Sequence, residues 1–308
     1  MVEKPCWQEK KIEWLISELQ TILKAKVRFS FSTNGLLLTK EIVDWLNSLP
    51  NAVVNVTIDG NKIMHDAHRR TISGAGSYDI IIKNLRLFRD AYPDFYRDRV
   101  RFLSTVYSWN EVLKLADVWD EELALKEHYP VHISHIIPNF NDKSRVYDTW
   151  EVKNIFYKKA FEAYKQGDKG ILAGCFQKLI DIVDNRNYLI LRSELNIQTC
   201  YQGLFSMFIN VDGDLYACEK FCGSLSVGNV KDGIEESEAF ALLNQFTERK
   251  NRLCSSCWAQ RFCRMCMTSL NHTDAEITKM CDMERDTIDL ALRYYCEYRD
   301  WVKLTNKK

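Results

Sequence analysis

CSSCWAQRFCRMC, residues 254–266, carries four cysteines in thirteen positions. A Cys-x2-Cys pair brings two sulfurs within reach of one metal centre. Zinc and iron-sulfur sites share that spacing, so the pair alone does not choose between them. Outward from this stretch, Cys254, Cys257, Cys263 and Cys266 are followed after fourteen residues by Cys281 and preceded by Cys200-x12-Gly213-x4-Cys218. Seven cysteines therefore fall in one ordered pattern. Cys222, four residues after Cys218, is a further candidate ligand whose plainer reading is a buried free thiol. Cys6, Cys175 and Cys296 have no spaced partners and read as packing residues.

Eight of the eleven cysteines lie between positions 200 and 281, which marks two regions with different tasks. The start, MVEKPCWQEKK, is charged and lacks the apolar stretch of a secretory signal, so a cytoplasmic location is expected. In that compartment clustered thiols hold metal more often than disulfides. With 46% apolar and 27% charged residues over 308 positions, the chain is long enough for a sizeable core in one large domain or two ordinary ones. Forty-two basic residues balance forty-two acidic ones, which gives no net field to recruit nucleic acid. No apolar run reaches the roughly 18–20 residues of a bilayer crossing, so no membrane partner is expected either.

Upstream, period-2 and period-3.6 segments alternate. Ile12, Leu15, Ile16, Leu19, Ile22 and Leu23 recur at helical spacing. A strand follows at VRFSFST (27–33), then a helix at TKEIVDWLNSL (39–49) with Thr39 as N-cap, and a strand at AVVNVTID (52–59). Loops through Gly60 and SGAGS (73–77) lead to the helix YDIIIKNLRLF (78–88). The strand VRFLSTVY (100–107), the helix WNEVLKLADVWDEEL (109–123) and the strand VHISHII (131–137) repeat the pattern, and helices at 147–165 and 175–190 complete the region. Such units predict a parallel sheet with helices outside it; periodicity does not say whether the sheet is open or a barrel. GLFSMFINVDGDLYAC (203–218) reads instead as an antiparallel hairpin turning at Asp212-Gly213, so the regions divide at 196/197.

The cysteine order resembles the SPASM extension of radical S-adenosylmethionine (radical SAM) enzymes that modify peptides and proteins. Two departures are the two-residue spacing of Cys263 and Cys266, where the family has three, and the short final gap. The resemblance continues upstream. FSFSTNGLLLT (29–39), with Thr33, Asn34 and Gly35, is similar to the third-strand stretch of the radical SAM barrel, and VNVTIDGNKIMHDAHRR (54–70) to its fourth-strand motif, followed by GAGSYDIIIKNL (74–85). Each also has a plain reading as turn, loop start or solvated basic pair.

The resemblance implies an α/β fold: an incomplete radical SAM (β/α) partial barrel over 1–196, then a small cysteine-rich SPASM domain with a β-hairpin and helices over 197–308. It implies two auxiliary 4Fe-4S clusters, one on Cys254, Cys257, Cys263 and Cys281, the other on Cys200, Cys218 and Cys266, with Cys222 a possible fourth ligand. It implies S-adenosylmethionine at Thr33, Asn34, Gly35, Thr57, Asp59 and Arg69, with Arg69 paired to the methionine carboxylate. A precursor peptide or protein is the implied substrate, and flavodoxin or ferredoxin the implied electron donor. The histidines His65, His68, His132 and His135 read as structural.

Radical SAM chemistry also requires a Cys-x3-Cys-x2-Cys loop, and Cys6 is the one cysteine before Cys175. The first strand, first helix and second strand of the family's barrel have no counterpart here. The expectation is therefore the C-terminal portion of a peptide-modifying enzyme that does not cleave S-adenosylmethionine alone. The alternative is an inactive iron-sulfur adaptor that binds a precursor peptide or partner enzyme, and a zinc-only structural module is a third reading.

Overall fold

The computed structural model describes residues 9–23, 27–49, 51–106, 108–122, 131–135, 148–185 and 207–306. The chain divides into two compact units, Met1–Gln177 and Lys178–Lys308. The expected division at 196/197 lies outside the described residues, as do Cys6 and Cys200.

The first unit runs α1 (Glu9–Leu23), β1 (Phe29–Thr33), α2 (Lys40–Ser48), β2 (Ala52–Thr57), α3 (Lys62–His68), α4 (Tyr78–Ala91), α5 (Pro93–Arg99), β3 (Val100–Val106), α6 (Trp109–Glu122), β4 (Val131–His135) and α7 (Trp150–Lys165). Among the described residues the strands form one parallel sheet in the order β1-β2-β3-β4, with Phe31 opposite Val54, Val54 opposite Val100 and Phe102 opposite Val131. Alternation along each strand sends Ala52, Val54 and Val56, with Val100, Phe102 and Val106, to one buried face. That face meets the helices. Phe31 packs edge-on to Trp45 of α2 at 5.7 Å, Ile16 of α1 joins Leu49 and Ala52, and Tyr96 of α5 meets Phe102 at 6.2 Å.

The opposite face is mostly polar, with Val53 and Leu103 half-buried on it. Ser30 and Ser32 are exposed, and Asn55, Thr57, Arg101 and Thr105 are half-buried. Asn55 donates to Ser30 across the strands at 2.7 Å. The parallel sheet with helices packed on its apolar face is what the repeated strand-helix units predict. Two short helices, α3 and α5, add to the expected elements. Asn61 starts α3 by accepting from the Met64 amide at 3.1 Å, and Pro93 opens α5, where its missing N–H costs nothing. Thr39 does occupy the N-cap of α2, but its side chain makes no capping bond.

Helix α8 (Ile171–Asp184) spans the division between the units. The second unit continues with an antiparallel sheet in the order β5-β6-β7-β8: β5 (Phe208–Ile209), β6 (Asp214–Tyr216), β7 (Ser226–Asn229) and β8 (Gly233–Ile234). The hairpin turns at Asp212-Gly213 as expected. Gly213 takes φ +90°, and Asn210 accepts from the amides of Asp212 and Asp214 at 3.0 and 2.8 Å. Behind the sheet, Leu215, Tyr216, Phe221 and Val227 bury against Leu242 and Phe246 of α9 (Glu236–Cys254). The unit ends in α10 (Asp274–Thr305), 32 residues long, started by a capping box between Thr273 and Glu276. No helix among the described residues is long and apolar enough to cross a membrane.

Candidate functional site

In the second unit the chain gathers thiols by ending one helix, turning, and starting another. Cys254 is the last residue of α9, and its carbonyl accepts from the Cys257 amide at 3.0 Å in the turn that follows. A second turn, seated on buried Ala259, bonds the Cys263 amide to the Ala259 carbonyl at 2.9 Å. Arg264 then fixes this loop to α10 with a fork onto Glu284 at 2.8 and 2.9 Å, a geometry that sets both position and angle. Cys281 stands in the second turn of α10.

These four sulfurs feel one another. Burial pushes the Cys263 thiol up to about 11, with neighbouring Cys281 and Cys254 adding to it. Cys254 is raised first by burial and also by Cys257; Cys281 is raised first by burial and then by Cys254 and Cys257. Such a group stays protonated near neutrality unless a cation takes the place of its protons. Two cations lean toward the same sulfurs. Arg285 Nη1 is 4.0 Å from Cys257 Sγ, and buried Lys250 lowers Cys254 against the push of burial. Among the described residues no three or more His, Cys, Asp or Glu side chains stand close enough for a single metal ion.

Three further candidates collect around two 3-10 turns. Cys218 and Cys222 flank the turn Glu219–Phe221, and Cys266 precedes the turn Met267–Asn271. The turns are tied together, since Asn271 donates to the Lys220 carbonyl at 2.9 Å while Phe221 and Met267 share the core. Cys218 donates to Glu219 at 3.0 Å, Cys266 lies 2.9 Å from the Thr268 hydroxyl, and Cys222 is exposed, where the bland expectation had it buried. Cys175 is buried on α8, and Cys296 is exposed on α10.

In the first unit the candidate residues meet at the carboxyl ends of β1 and β2. Thr33 ends β1 opposite Val56, and Thr57 ends β2 one residue further on. Thr33 accepts from the Gly35 amide and Asn34 from the Leu36 amide, each at 3.1 Å, so both oxygens shape the turn; Gly35 is left-handed at φ +79°. Asp59 is buried. One of its oxygens accepts from the Thr105 amide at 2.8 Å and the other is paired with Arg69. His65 is fully buried and bolts this corner together. Its Nδ1 accepts from the Asp59 amide at 3.1 Å, and its Nε2 lies 3.0 Å from Ser77, whose hydroxyl donates to the Arg69 carbonyl at 2.9 Å. Those partners require a neutral ring protonated at Nε2, and burial lowers its pKa accordingly. The side chains of His132 and His135 lie outside the described residues.

The family model of SPASM, an iron-sulfur cluster-binding domain, matches residues 200–258, from Cys200 through Cys257. No curated protein matches the chain. Among solved structures it is similar to native anSMEcpe with bound AdoMet, with 17% identity and a TM-score of 0.67 over 95% of this chain and 81% of that one. The same protein with bound AdoMet and the Kp18Cys peptide gives 16% identity and a TM-score of 0.65 over 94% and 81%. Streptococcus suis SuiB bound to precursor peptide SuiA gives 15% identity and a TM-score of 0.50 over 86% and 60%. At these identities the likeness is one of fold. Residues 200–258 thus match the SPASM domain, and the chain shares its fold with these structures.

Proposed function

We propose that this chain is an iron-sulfur protein that takes part in modifying a peptide or protein, with Cys254, Cys257, Cys263 and Cys281 holding one auxiliary 4Fe-4S cluster. The four thiols that the end of α9, the following turns and the start of α10 bring within influence of one another carry this reading. Their chemistry fits such a cluster: four soft sulfur donors, Cys254 buried and the other three half-buried, with cations nearby to offset the charge. Cys200, Cys218, Cys266 and exposed Cys222 are the proposed ligands of a second cluster. When bound, such clusters carry single electrons or ligate a substrate sulfur.

The peptide in the anSMEcpe and SuiB complexes supports a peptide substrate here. Thioether or another crosslink, or side-chain oxidation, is the proposed outcome, in the cytoplasm, with flavodoxin or ferredoxin as electron donor. S-adenosylmethionine would be recognised at the strand ends around Thr33, Asn34, Gly35, Thr57, Asp59 and Arg69, where the half-buried polar face of the sheet offers hydrogen-bonding groups. The 308 residues contain no Cys-x3-Cys-x2-Cys loop, so the chain alone is not expected to cleave S-adenosylmethionine. The adaptor reading has one observation in its favour: Arg69, the residue assigned to the methionine carboxylate, is already paired with Asp59.

Anaerobic reconstitution tests the proposal. Two clusters bind about eight iron and about eight sulfide per chain and colour the protein brown; stoichiometric zinc in a colourless protein refutes it. Cleavage of S-adenosylmethionine by the reconstituted chain refutes the prediction that it lacks this activity alone. Binding of S-adenosylmethionine without cleavage favours the enzyme-portion reading, and binding of peptide alone favours the adaptor.

A further inference from the structure

We infer that Arg285 and Lys250 form a cationic clamp on the Cys254, Cys257, Cys263 and Cys281 site that makes a cluster held there easier to reduce; this rests on the iron-sulfur reading of those four thiols. Lys250 precedes Cys254 by one turn of α9 and is 7% exposed, with its ammonium 5.8 Å from the Phe246 ring centroid. Arg285 follows Cys281 by one turn of α10. Its Nη2 is anchored on Asp282 at 2.5 Å, which leaves Nη1 facing Cys257 Sγ at 4.0 Å. The two helices thus present one cation each, four residues from a thiol on the same helix.

The carboxylates nearby do not cancel this arrangement. Glu284, which acts on Cys263, is held in the Arg264 fork, and Asp282, 67% accessible, anchors Arg285 and opposes it at Cys281 with the smaller effect of the two. Lys250, Arg285 and Arg264 together face four thiolates and two carboxylates. Reduction adds one electron, taken from an added reductant such as dithionite, which is itself oxidised to sulfite. A nearby positive charge and an N–H directed at a ligand sulfur both favour the more negative, reduced state.

The test is a redox titration followed by electron paramagnetic resonance on the full reconstituted chain and on R285Q, R285K and K250M, with iron and sulfide counted in each. The reduced-to-oxidised ratio at the wild-type midpoint should fall about tenfold in R285Q and in K250M, a shift of ~59 mV to more negative potential for one electron. R285K, which keeps the charge, should stay within about threefold. Loss of iron from R285Q that R285K restores also supports the clamp. Fully loaded R285Q and K250M with unmoved or raised midpoints overturn the inference and leave the cluster reading standing. A wild-type chain that takes up no iron or sulfide overturns both.

Discussion

Replacing His65 with alanine removes the bolt between the end of β2, α3 and the loop before α4. The ring is fully buried and links the Asp59 amide to the Ser77 hydroxyl at 3.1 and 3.0 Å. Two neutral hydrogen bonds contribute about 1 kcal/mol each, and the vacated volume adds about 1–2 kcal/mol, so H65A should lose about 3 kcal/mol. The bolt also has a pH signature. Burial lowers the pKa of the folded ring below the ordinary 6.5, so the unfolded chain binds a proton that the native state refuses. His65 therefore contributes its full stability above about pH 6.5 and loses it as pH falls from there toward its lowered folded value. The slope is at most about 1.4 kcal/mol per pH unit. Urea unfolding followed by circular dichroism between pH 5 and 8 reads both effects. H65Q, which cannot titrate, should flatten the profile across pH 5–6.5. A wild-type stability that does not decline below pH 6.5, or an H65A variant within about 0.5 kcal/mol of wild type, refutes the reasoning.

The Asp59–Arg69 pair should be worth less than a fully buried one, because 35% of the Arg69 side chain meets solvent. R69M should cost about 1–2 kcal/mol in the same assay, and D59A more, because it also strands the Thr105 amide; faster hydrogen exchange at Thr105 in D59A alone would confirm that difference. At Gly60, φ is +82° and an added Cβ would stand 2.5 Å from Leu115 Cδ2, so G60A should lower the melting temperature by a change worth about 2 kcal/mol. C263S and C281S should each lose most of one cluster's iron, whereas C296S, exposed on α10, should keep full loading; equal iron in all three would reject the ligand set. Because the free thiols are raised by burial, iron uptake by the metal-free chain should strengthen from pH 6 to 8, measurable as loading at fixed iron and sulfide.

The parallel sheet was legible because its signal is local. AVVNVTID alternates at period 2 and its neighbours at period 3.6, and burial in the structure follows that alternation residue by residue along β2 and β3. Helix α3 was hidden because seven residues give too few turns for a periodicity to show, and its start depends on one side-chain bond from Asn61. The cysteine pattern was legible as a ligand set through spacing, which reports reach along the chain. What spacing does not report is charge from across a fold. Lys250 and Arg285 do carry a faint mark, each four residues from a cysteine, yet that mark means something only once both stretches are known to be helical. The role of His65 left no trace at all, since its partners lie at Asp59 and Ser77 on either side of a turn that only the folded chain closes.

At 1.5 Å per residue, α10 is a rod about 48 Å long, with Cys281 near one tip and Trp301 near the other. A continuous helix does not absorb a tilt imposed at one end; it carries the tilt along its length and magnifies the displacement. A displacement of Cys281 on filling the thiol site would act on the short arm of this lever, and a spin label on the long arm would read it without touching the sulfurs.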